Sequence, residues 1–98
     1  MTAPKGKRTA VTACGVTVHV DAAKLAERLD NDARLALDLA STDPAHQTRA
    51  MGTLVGLICG GEYDRAMDEL QGDAEYLDAK RLAQFVTEAC QQVEALKT

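Results

Sequence analysis

Residues 77–96, LDAKRLAQFVTEACQQVEAL, decide the fold class. Leu82, Phe85, Val86, Ala89, Val93 and Leu96 return at steps of three and four. That spacing is one apolar stripe on a 3.6-residue helix. Lys80, Arg81, Gln84, Glu88, Gln91, Gln92 and Glu94 fill the outer positions. Asp78 stands where an N-cap carboxylate accepts from the first turn. The stretch therefore reads as a helix from about Ala79 to Leu96 with one face on a core, and the rest of the chain must supply that core.

Working upstream, Gly60-Gly61 and Gln71-Gly72-Asp73 bracket a short helix from Tyr63 to Leu70, with Ala66, Met67 and Leu70 on one side. Before it, Thr42-Asp43-Pro44 marks a helix start. Asp43 can cap, and Pro44 fits the first helical position, where its missing N–H costs nothing. This helix runs to about Cys59, with Ala50, Met51, Leu54, Val55, Leu57 and Ile58 as a broad apolar face. Gly52 and Gly56 each cost up to about 1 kcal/mol of helix propensity, so their spacing predicts close approach of a neighbouring helix. Asp21 can cap Ala22 to Leu29, striped by Leu25 and Leu29. Asp30-Asn31-Asp32 interrupts, and Ala33 to Ser41 resumes with Leu35, Leu37 and Leu39.

Thr9 to Val20, TAVTACGVTVHV, is the exception. Val16, Val18 and Val20 alternate with Thr17 and His19, the two-residue period of a strand. Gly15, after Cys14, suits a tight turn between Val11–Cys14 and Val16–Val20. A lone hairpin is marginal in water. Its valines must pack on helices, or its exposed edge must pair with another chain. Edge pairing would make a homo-oligomer. Residues 1–8, with Lys5, Lys7 and Arg8, read as a disordered basic leader. The expected architecture is mainly α: a small bundle of about four to five helices with a short N-terminal β-hairpin-like segment, one domain over residues 9–98. A chain of 98 residues is one domain at most.

Composition narrows function. Apolar residues make up 46%, yet the aromatics are Phe85, Tyr63 and Tyr76 only, and Trp is absent. The core must be built from Ala, Leu and Val. No apolar run approaches the ~20 residues of a membrane span. The N-terminus lacks the apolar segment of a signal peptide, so a cytoplasmic location is expected. The net charge is −4. Between Glu62 and Asp78 seven acids (Glu62, Asp64, Asp68, Glu69, Asp73, Glu75, Asp78) face one base, Arg65. Such a surface repels phosphate backbones.

No chemistry-bearing constellation emerges. Cys14, Cys59 and Cys90 are far apart and form neither a disulfide framework nor a zinc pattern. The acidic stretch lacks the alternate ligands and final Glu of a calcium loop. His19 and His46 have no acid or Cys at ligand or triad spacing. Gly60-Gly61 lacks the Lys and Ser/Thr of a phosphate loop. The expectation is a non-enzymatic protein binder with no cofactor and no metal. Helical faces offer Met67, Leu70, Phe85 and Val93 as apolar contacts, with Asp64, Asp68 and Glu69 as rim charges.

Several of these residues recur together in a known order. Val18-His19-Val20-Asp21 with Leu25 is followed by Leu54-Val55-Gly56-Leu57-Ile58. Gly61-Glu62-Tyr63 then opens a short helix to Leu70, with Gly72-Asp73 beyond it. Leu77-Asp78-x-x-x-Leu82-Ala83-x-Phe85-Val86 leads to Leu96-Lys97. In this pattern Val18 to Lys97 resembles the small tail assembly chaperones of long-tailed bacteriophages and prophages of Gram-positive hosts. The resemblance implies a small, mainly helical protein in the bacterial cytoplasm, absent from the finished virion. It implies two partners: the tape measure protein, coated while the tail tube polymerises, and the tail tube protein, which the chaperone helps recruit. It also implies a longer frameshifted product, with the slip near Lys97-Thr98. The alternative is a small adaptor or inhibitor from a phage or mobile element. A DNA-binding regulator is the weaker alternative, because a recognition helix over Glu62–Leu70 would carry the wrong sign.

Overall fold

The computed structural model describes residues 8–95. Its elements are β1 (Thr9–Ala13), β2 (Val16–Val20), α1 (Ala22–Asn31), α2 (Ala33–Ala40), α3 (Pro44–Cys59), a 3-10 turn (Gly60–Glu62), α4 (Tyr63–Gln71) and α5 (Ala79–Ala95). The fold is a mainly α bundle with an N-terminal hairpin, as the periodicities predict. Apart from Arg8, the basic leader lies outside the described residues.

Aspartates set most helix starts. Asp21 accepts from the Lys24 N–H at 3.0 Å, Asp32 from Leu35 at 3.0 Å, Asp43 from Ala45 at 2.9 Å and Asp78 from Lys80 at 2.7 Å. Each satisfies a first-turn donor that has no carbonyl partner within the helix. Asp32 does double duty, since its extended backbone ends α1 while its side chain opens α2.

The hairpin closes through Cys14-Gly15, with φ of 50° and 78°. Positive φ at both central residues matches the twist of the flanking strands. Ala13 pairs with Val16 and Val11 with Val18. That register puts Val11, Ala13, Val16, Val18 and Val20 on one buried face. β1 packs this face on α5, and β2 packs it on α3 and α4. Helix α3 is the hub, touching β2 and each of the other four helices. Phe85, Leu25, Ile58 and Leu70 are the largest fully buried side chains.

Two expectations are corrected. A Cβ placed on Gly52 or Gly56 would meet nothing within 4 Å. Both glycines face outward, so no helix packs closely there. The hairpin edges are also partly covered by side chains. Pairs in an antiparallel ladder alternate between inward and outward backbone bonds. With Ala13–Val16 bonded inward, Ala10, Thr12, Thr17 and His19 point N–H and C=O outward. Gln92 of α5 engages both backbone groups of Thr12, accepting from its N–H at 3.3 Å and donating to its C=O. On the other edge His19 N–H donates to Glu62 at 2.8 Å, and Arg65 donates to the Thr17 carbonyl at 2.8 Å. Arg8 donates to the His19 carbonyl at 3.2 Å. Side chains of Arg8, Glu62, Arg65 and Gln92 thus take part of the positions that a third and a fourth strand would use, which hinders strand addition by another chain at Thr12, Thr17 and His19.

Candidate functional site

A concavity arises where α1 and α5 both pack on α3 while scarcely touching each other. The gap is an open-sided groove of about 480 Å³. Leu54 of α3 and Val86 and Val93 of α5 form its floor, and Leu25 of α1 closes one wall. Leu29 at 37% exposure and Leu39 at 50% exposure stand on the rim. Polar lining comes from Thr87, Gln91, Asp30 and Glu94, and no cation contributes. An apolar concavity of this size with a few polar groups at its edge is a usual form of binding site.

Local sequence explains why the groove stays open. Helix α1 has Leu25 as its one buried residue, and Leu29 lies one turn further on, where α1 is already ending at Asp30-Asn31-Asp32. Helix α2 buries only Leu35 and Asp38. Asp38 receives two bonds from the Arg49 guanidinium of α3, each 2.7 Å. These bonds hold its carboxyl below the usual range, against the opposing effect of burial. The pair fastens α2 to α3 while leaving Leu39 and Leu37 outside.

The groove residue with reactive chemistry is Cys90, half-buried on α5. Burial, then the nearby Glu94, raises its thiol. Cys59 is pushed to about 11, chiefly by burial. Cys14 is raised by burial and by its contact with Glu88 at 3.1 Å. All three thiols stay protonated at neutral pH, the inert form. Among the described residues no group of three His, Cys, Asp or Glu side chains could hold a metal ion. None of the described helices is long and apolar enough to cross a membrane.

The structure separates the seven residues that the helical faces offered. Leu70, Phe85 and Val93 are 1%, 0% and 2% exposed. Leu70 and Phe85 are core residues, a correction to their assignment as partner contacts, because the hairpin and α3 already cover the faces they occupy. Val93 still reaches the groove, at its floor. Met67 is half-buried against the core. Asp64, Asp68 and Glu69 are exposed on α4, and Glu69 is paired with Arg65. None of these three lines the groove. Sequence reading missed Leu29 and Leu39 as site residues. Their signal was there: ARLALDLA, residues 33–40, holds more Leu and Ala than a short surface helix needs for one buried face.

Comparison with family models, with curated proteins and with solved structures finds no match to this chain.

Proposed function

We propose that the protein is an assembly chaperone of the long-tailed phage kind, working in the cytoplasm of a bacterial host. It holds apolar helical stretches of the tape measure protein until the tail tube encloses them, and it helps recruit the tube protein. The observation that carries this reading is the open groove between α1 and α5, with Leu29 and Leu39 on its rim. A helix laid in such a groove buries its apolar stripe and leaves its polar side in water. The modest size of the groove suits a client that must later be released, since little area is committed to each contact. The net charge of −4 keeps the complex soluble.

The test is co-expression with a tape measure protein encoded in the same genome. The expected result is that the long protein, insoluble alone, becomes soluble and co-purifies with this chain. Leu39→Glu, on the exposed rim, should abolish capture without unfolding the bundle. A tape measure protein that stays insoluble with the wild-type chain would remove the chaperone reading.

A further inference from the structure

The groove between α1 and α5 carries charge of one sign. Its lining includes the carboxylates of Asp30 and Glu94 and no Lys, Arg or His. Glu94 has an interaction within the chain, whereas no hydrogen bond or ion pair from the described residues engages the Asp30 carboxylate. Asp30 also stands in an unfavourable place. Asp21 and Asp32 cap the starts of helices, where a carboxylate meets free N–H groups. Asp30 lies in the last turn of α1, beside the carbonyl end of the helix, where the backbone is itself negative. The bases nearest in sequence serve other carboxylates. Arg28, in the same turn, donates to Asp32 at 3.0 and 2.8 Å. Arg34, just past the break, helps hold Asp38 ionised. A cation is what this end of the groove lacks.

The apolar part sets the shape of what fits. On α5 the lining runs from Val86 through Cys90 to Glu94. At about 1.5 Å per residue that is about 12 Å, a little over two helical turns. Leu54, Val86 and Val93 lie beneath, and Leu29 and Leu39 flank the opening. A helix laid along this groove fills it with apolar side chains at i, i+4 and i+7, which one helical face brings into line. We propose that the groove selects basic amphipathic helices: apolar residues over about two turns enter it, and a Lys or Arg beside them reaches Asp30. This deepens the chaperone reading and rests on it, because it states which stretches of a client are held.

The test is fluorescence anisotropy of the full chain with a labelled synthetic helix of about 18 residues, long enough to fold partly alone. It carries Leu at i, i+4 and i+7 and Lys at the flanking positions, and a twin peptide carries Glu in place of Lys. The Lys peptide should bind about fivefold or more tighter than the Glu twin at low salt, and the gap should narrow as salt rises. Two charge reversals of equal size separate the groove from general attraction to an acidic protein. Asp30→Lys should close the gap or invert it. Glu75→Lys, exposed before α5 and outside the groove, should leave most of it. Lys suits the last turn of a helix, so Asp30→Lys should keep the wild-type circular dichroism spectrum. Equal binding of the twins, or equal effects of the two reversals, would overturn the proposal. So would binding of neither peptide, whether the groove stays empty or a second copy fills it. Charge-blind binding would leave the chaperone role to the co-expression result. A tape measure protein that stays insoluble would remove that role whatever the peptides do.

Discussion

Glu62 shows how much one surface side chain can organise. Its carboxylate accepts the His19 backbone N–H at 2.8 Å, the Arg65 guanidinium at 2.7 Å and the His19 ring at 3.3 Å. The His19 N–H, then Arg65, draw its pKa from an ordinary 4.5 to about 2. A depressed carboxylate contributes stability that is complete above its unfolded value and lost as pH falls through its folded one. Thermal denaturation should therefore show Tm falling as pH drops from about 4.5 toward about 2. Asp32, Asp38 and Glu88 are lowered too and share that limb. Glu62→Gln keeps an acceptor for the His19 N–H but removes one titrating group, so the limb should become shallower. An unchanged acid slope would mean that Glu62 is not held as described. At this scale the sequence was half legible. Asp21, Asp43 and Asp78 announce themselves as caps because their partners lie two or three residues away. The contacts Glu62–His19 and Gln92–Thr12 span 43 and 80 residues, and no local pattern marks them.

Among the elements, α5 was the clearest from its residues, and it carries the largest core side chain. Phe85 is fully buried beneath the hairpin and α3. Phe85→Ala should cost about 3–5 kcal/mol, the transfer loss plus the cavity left behind. In a small domain of about 5–15 kcal/mol total stability, urea titration should show a large drop in midpoint. A drop no greater than that of an exposed-site control would contradict the packing. Periodicity gave the inner face of α5 correctly but not its tenant. A helical wheel shows which residues turn together, while only the fold shows that the hairpin already occupies that face. Helix α2 misled in the opposite sense. Leu35, Leu37 and Leu39 cannot share one face of a helix, and the structure buries Leu35 alone. The excess was a sign of an uncovered surface rather than of more core.

For the molecule as a whole, the groove exists because two walls share a floor without meeting. Filling it should therefore separate stability from binding. Ala26 lines the groove on α1, and Ala26→Leu places apolar atoms in it. Cavity filling commonly adds about 0.5–2 kcal/mol, which in a domain of this size raises Tm by about 2 °C at the least. The same change should reduce tape measure co-purification. A rise in Tm with undiminished capture would place the client elsewhere on the surface. No sequence period encodes such a gap, because it depends on α1 ending at Asn31 before it can reach α5.

The closure of the hairpin edges has a consequence for how the chain is made. A ribosome delivers the strands well before Gln92, which lies 80 residues after the Thr12 backbone that it engages. Until it arrives, Thr12 presents an open backbone to any neighbouring nascent chain. Crowding on a polysome thus exposes this edge to mispairing until α5 has emerged and folded.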